Sequence, residues 1–183
     1  MFIDVFVMKR LILIALEDEA PRLKGREGVH FFGVGKVNAA IAAASLIERH
    51  APDEVWNFGT AGGITVGKGL HECTRFIQRD MDCSPLGFAV GHTPFEEGLE
   101  LVFSGDGLVC GSGDQFVTNP NLAVPVDVVE MEAYAIAKAC RRAGVRFRCF
   151  KYVSDAADSD SAGEWEQNKH RGEDLFLRIL DTL

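Results

Sequence analysis

The chain has 183 residues, 47% of them hydrophobic and 25% charged, with 27 acidic side chains against 19 basic ones and a formal net charge of −8. That size and apolar content suit one domain over residues 1–183 with a sizeable core. The acidic surplus excludes a nucleic-acid backbone or an anionic membrane surface as the expected partner, since both select for lysine and arginine; a single nucleoside, nearly uncharged, stays compatible.

Lys9–Leu16 predicts a first buried strand, a continuous apolar run closed by Glu17, Asp18, Glu19 and Pro21. The run is too short for a membrane span or a signal peptide, and residues 1–7 read as an extension upstream of a start at Met8. Val29–Phe32 predicts a second strand running into Gly33-Val34-Gly35, a tight strand-to-helix turn. From Lys36 to His50, the positions Val37, Ala40, Ile41, Ala44, Leu46 and Ile47 describe an amphipathic, alanine-rich helix that Pro52 ends. Val55–Phe58 is the next expected strand, with Gly59–Gly63 following as a tight turn. Within 64–98 only Thr74–Gln78 reads as a strand; Leu99–Ser104 and Leu108–Cys110 follow as strands flanked by glycine turns. Val124–Val129 predicts a strand entering Glu130-Met131-Glu132, and Ala133–Ala143 a helix closed by Gly144. Val145–Val153 is a strand and Asp155–Asp160 a polar loop, after which Ser161 and Glu164 form a capping box for a C-terminal helix to about Leu180. Strands alternating with helices predict an α/β fold, in which ligands bind beyond the carboxyl ends of the strands. Cys73, Cys83, Cys110, Cys140 and Cys149 show no CxxC spacing, and their odd number in apolar surroundings reads as reduced thiols of a cytoplasmic protein, without zinc or disulfides.

Several constellations fail on spacing. Gly33-Val34-Gly35-Lys36 lacks the remaining positions of a phosphate loop, and the third glycine of a dinucleotide fingerprint falls on Asn38. No serine sits in a GxSxG elbow, and the five histidines have no metal spacing. Glu17, Asp18 and Glu19 taken alone read as a solvated charge run at a helix start. Glu130 and Glu132 are different, because they alternate at the end of an apolar run and so point the same way, and an acid pair there is costly unless something polar meets it. A helix N-terminus would account for Glu132 but not for Asp155 and Asp158 at the next strand end. The spacing brings Glu132 and Asp155 from neighbouring strand ends into one cleft, and two acids in one cleft are what cleavage of a glycosidic bond needs.

The ordered set Ala15–Glu19, Gly33–Ala40, Asn57–Gly63, Gly111–Val117, Val129–Ala133 and Ser154–Asp158 resembles the nucleoside phosphorylase superfamily, and within it the methylthioadenosine/S-adenosylhomocysteine nucleosidases. The resemblance implies a three-layer fold, with a central mixed twisted β-sheet flanked by helices, and hydrolysis of an adenine nucleoside without cofactor or metal. By the same resemblance Asp155 protonates the purine at N7, and Glu19 positions and deprotonates the attacking water. Glu132 holds the ribose hydroxyls with Glu130 beside it, Met131 lies under the sugar, Phe116 stacks on adenine and the Val117 backbone reads the base edge. Thr60 and Ser154 match small polar groups near the sugar and the acid, and Lys151 stands where an arginine is common. The purine leaves badly as an anion, so the acid must deliver a proton near neutral pH, and burial beside other carboxylates raises a pKa in that direction. The chain departs from the pattern in lacking most of the hairpin after strand one and a helix between Gly63 and Gly111, parts that help build the subunit interface and the 5′-substituent pocket of a homodimer.

Two rivals remain at this point: a phosphorylase of the same fold, for which Arg22, Lys24 and Arg26 would have to gather phosphate, and a nucleoside-binding module without catalysis. Glu19 beside the nucleophile would repel a phosphate dianion.

Overall fold

The computed structural model describes residues 8–105 and 107–182, so the expectation for residues 1–7 lies outside it. The strands are β1 (Arg10–Ile14), β2 (Val29–Phe31), β3 (Glu54–Gly63), β4 (Gly69–Gln78), β5 (Leu101–Val102), β6 (Leu108–Ser112), β7 (Val128–Glu130) and β8 (Arg146–Asp155). The α-helices are α1 (Lys36–His50), α2 (Ala133–Ala143), α3 (Ser161–Asn168) and α4 (Glu173–Asp181). All eight strands join one mixed sheet in the order β2-β1-β3-β7-β6-β4-β5, with β8 paired to both β3 and β4. The pairings β3–β8, β8–β4, β4–β6, β6–β7 and β7–β3 return to their start, so the middle of the sheet curls round on itself.

Strand alternation explains the layers. Leu11 and Leu13 join Ala39, Ala43 and Ile47 of α1 and Ile136, Ala137 and Cys140 of α2 in one core. Their neighbours Ile12 and Ile14 join Trp56, Phe58, Phe150, Tyr152 and the α4 residues Phe176 and Leu180 in a second. A sheet covered on both faces needs apolar side chains at every position, which is why β1 reads as an unbroken hydrophobic run. The expected α/β layers are therefore present, with α1 and α2 on one face and α4 on the other.

Several local expectations are corrected. Gly59–Gly63 is the second half of β3 and not a turn, and its ladder continues opposite Lys151, Tyr152, Val153 and Asp155 of β8. Its glycines are there for close approach: a Cβ on Gly62 would lie 2.9 Å from Asp155 Oδ1, and one on Gly63 would lie 2.2 Å from the Val66 carbonyl oxygen. The strand expected at Thr74–Gln78 begins five residues earlier, whereas the one expected at Leu99–Ser104 shrinks to Leu101–Val102. The C-terminal helix is two helices, and Ser161 does not cap: its Oγ accepts from the Asp158 amide, while Glu164 reaches out to Lys68. The break ends at Gly172, where a Cβ would collide with Tyr152 Cβ at 2.4 Å, so only glycine lets the chain lie this close to the sheet.

A further correction concerns α1. It buries Ala39, Ala43 and Ile47, the two alanines allowing close packing on α2, and leaves most of the expected apolar face outward. Val37 is 69% exposed and Ile41 62%, with Ala40 and Ala44 also exposed between and beside them.

Candidate active site

The ends of β3, β7 and β8, the turn after β1 and the segment after β6 surround a cavity of about 560 Å³, a size typical of small-molecule sites. Of the residues nominated from the sequence, Asp155, Glu19, Glu132, Met131, Glu130, Phe116, Val117 and Thr60 all line it. Ser154 does not; it is fully buried behind the wall and donates its hydroxyl to Asp155 Oδ2 at 2.7 Å.

A 3₁₀ turn over Glu17–Glu19 separates the three acids after β1. Glu17 pairs with Lys24 and Asp18 with Lys169 at the surface, as a solvated charge run should. Glu19 turns inward and is 4% exposed. Its Oε1 accepts from the Thr60 amide and the Thr60 hydroxyl, both at 2.7 Å, and its Oε2 from the Leu16 amide at 3.2 Å. A Cβ on Gly59 would stand 3.3 Å from that carboxylate, so the glycine before Thr60 leaves it room.

Glu130 and Glu132 share the cavity wall but not a task. The strand ends at Glu130, and Glu132 has left extended geometry (φ −135°, ψ −37°) at the start of α2. Glu130 supplies what a helix start needs: its Oε2 accepts from the Glu132 and Ala133 amides at 3.0 and 2.8 Å. The same carboxylate takes the Ser112 hydroxyl and pairs with Lys151 Nζ at 2.9 Å, both partners being almost wholly buried. Burial pushes Glu130 up, but the Lys151 ammonium and the Ser112 hydroxyl hold it below the ordinary carboxylate value. Burial would push Lys151 down, yet Glu130 and, behind it, Cys149, Glu132 and Cys110 together hold its pKa well above the ordinary lysine value. Glu132 is left with one amide donor, Gly35 at 2.8 Å, which the positive φ of the Gly33–Gly35 turn presents to it. Burial first, then Glu130, pushes its pKa up to about 7.

Asp155 closes β8 and is buried. Its strand does not neighbour β7 as expected. Instead β3 runs between them, with Gly62 opposite Val129 on one side and Asp155 on the other, and the missing side chain at Gly62 is what lets both carboxylate-bearing ends face the cavity. The Ala157 amide donates to Asp155 Oδ1 at 3.0 Å, completing the pair of bonds that fix the carboxyl group.

Two wall residues escape a sequence reading. Arg79 follows β4, where the strand end was legible but its aim was not; its Nη2 donates to the carbonyls of Gly113 and Gln115, and its buried Nε has no partner among the described residues. Trp165 lies on α3 and donates from Nε1 to Thr60 Oγ1 at 2.9 Å; an aromatic residue one turn into the helix after an acidic strand end was the available signal.

Residues 24–183 match the phosphorylase superfamily. The chain is 32% identical over 162 residues to the 5′-methylthioadenosine/S-adenosylhomocysteine nucleosidase of Actinobacillus succinogenes, covering 74% of this chain and 70% of that one. It is 29% identical over 208 aligned positions to the nucleosidase of the same description from Geobacillus thermodenitrificans, covering 96% and 88%. Among solved structures, a Helicobacter pylori nucleosidase mutant with 5′-methylthioadenosine in its active site superposes with a TM-score of 0.85 at 22% identity, over 97% of this chain and 100% of that one. The futalosine hydrolase of Helicobacter pylori gives 0.85 at 21% identity, over 97% and 99%. At those identities the superpositions show the fold. The family comes from the matched residues, and by them the chain belongs to the phosphorylase superfamily and, within it, to the 5′-methylthioadenosine/S-adenosylhomocysteine nucleosidases.

Proposed function

We propose that this chain is an N-glycosyl hydrolase that cleaves the N-glycosidic bond of an adenine nucleoside, such as 5′-methylthioadenosine or S-adenosylhomocysteine, and releases adenine. The observation that carries the reading is one cavity into which three buried carboxylates, Glu19, Glu132 and Asp155, arrive from three separate elements. Asp155 protonates N7 as the C1′–N9 bond breaks, so the base leaves neutral. Glu132 accepts from the ribose hydroxyls over Met131, and the carboxylates stabilise the oxocarbenium-like centre. Phe116 stacks on the base and the Val117 backbone reads its edge. Glu19 takes a proton from the water that adds at C1′. Glu130, its acceptors already occupied, positions α2 and Glu132, and Ser154 does the same for Asp155.

Hydrolysis is favoured over phosphorolysis by charge. Among the described residues Arg79 is the basic side chain on the cavity wall, and Nη2 of its guanidinium is committed to two carbonyls. Arg22 and Lys24, which a phosphate site would need, pair with Asp174 and Glu17 away from it. The reading further takes the chain as one domain and as a homodimer of the cytoplasm, with the outward strip Val37, Ala40, Ile41 and Ala44 of α1 as the contact face beside the cavity residue Val34. No described helix is long and apolar enough to cross a membrane.

The test is turnover of 5′-methylthioadenosine in ¹⁸O-labelled water, with and without phosphate. Phosphate-independent adenine release and a labelled free sugar are expected; a sugar phosphate, formed only when phosphate is present, would refute the assignment.

A further inference from the structure

We infer that Trp165 is a positioning residue for the water-activating carboxylate, acting through the hydroxyl of Thr60. The inference rests on the proposed role of Glu19. Trp165 Nε1 donates to Thr60 Oγ1 at 2.9 Å, and Thr60 Oγ1 lies 2.7 Å from Glu19 Oε1. An indole nitrogen can only donate, and a threonine hydroxyl has one proton. With a lone pair committed to Trp165, that proton goes to Glu19, and the direction of the chain is set from indole to hydroxyl to carboxylate. Oε1 then carries two donors, this hydroxyl and the Thr60 amide, while Oε2 carries only the longer bond from Leu16 and is the oxygen with capacity left for water.

The device links two parts of the site. Ala162, Trp165 and Glu166 place α3 along the cavity wall, so the helix that encloses the ligand also sets the hydroxyl that orients Glu19. A ring that only walled the cavity would need no donor and would act on substrate affinity alone.

Trp165→Phe keeps the ring and removes the donor. The expected result is a fall in kcat of about 3- to 10-fold, the scale of one lost hydrogen bond, with KM changed less than about twofold. Thr60→Ala removes the hydroxyl but keeps the backbone amide on Glu19, and in that background Trp165→Phe should cost less than about twofold in kcat. Thr60→Ser should restore near wild-type kcat together with sensitivity to Trp165→Phe. Thermal unfolding of each variant reads folding separately; if Trp165→Phe does not fold, equal kcat for Thr60→Ser and Thr60→Ala overturns the relay. Equal losses from Trp165→Phe in both backgrounds, or a loss confined to KM, overturn it as well. Glu19→Gln separates the two ideas: retained turnover would sink the role of Glu19 itself, whereas an inactive Glu19→Gln beside an additive cycle would sink only the relay.

Discussion

Glu130 and Glu132 sit two positions apart and are shifted in opposite directions, the first by a buried ammonium beside it, the second by burial and by the first. For Glu132 the consequence is a pH dependence of stability. Its pKa is about 7 folded against an ordinary 4.5, so between those values the native state holds a proton that the unfolded chain has lost, and stability falls as pH rises through that window. Glu132→Gln should flatten the decline, which thermal unfolding from pH 4.5 to pH 8 would measure; an unchanged slope would place the titration elsewhere. Asp155 invites a more direct test. Asp155→Asn keeps the shape and the bond from the Ala157 amide but delivers no proton, and general acid catalysis is worth about 10²–10⁴-fold. Adenine release near the wild-type rate by this variant would remove Asp155 from the leaving-group role.

At the scale of elements, α2 is tied to the sheet by a charge. Its first amides rest on Glu130, and Glu130 is neutralised by Lys151 from β8, so a helix start and a strand interior share one buried ion pair. Removing one partner leaves the other charge uncompensated in the core. Lys151→Met should therefore cost about 3–5 kcal/mol in urea unfolding at pH 7, far more than the loss of a surface pair. A change under about 1 kcal/mol would mean that Glu130 takes up a proton at little cost, and that the pair matters less than its burial suggests.

For the whole molecule, the outward apolar face of α1 is where the proposed homodimer can be tested. Val37 and Ile41 lie one turn apart, and Val34 and Phe116 both line the cavity while remaining exposed. On the proposed homodimer, with this face as its contact, replacing Ile41 and Val37 by glutamate should convert a dimer to a monomer by sedimentation velocity and lower kcat/KM. A variant that stays dimeric and fully active would move the interface elsewhere.

Much of this protein was legible in one dimension. The β1 run, α2 with its left-handed Gly144, and the acids that stop β7 and β8 were readable because each depends on local patterning, burial on two faces or a chain end at a strand terminus. The ordered blocks also carried the family, since spacing along the chain is what a set of strand-end residues leaves behind. Other features depended on what approaches from elsewhere. Gly59–Gly63 looks like a turn until β8 is laid beside it, because close approach and positive φ call for the same residue. The helical period of α1 is satisfied by two faces, and only the presence of α2 decides that the alanine face is buried. Which of Glu130 and Glu132 is neutralised, and that Trp165 meets Thr60 across 105 positions of chain, follow from contacts between distant segments, and no local pattern encodes a contact whose partner is set by the packing of the whole sheet.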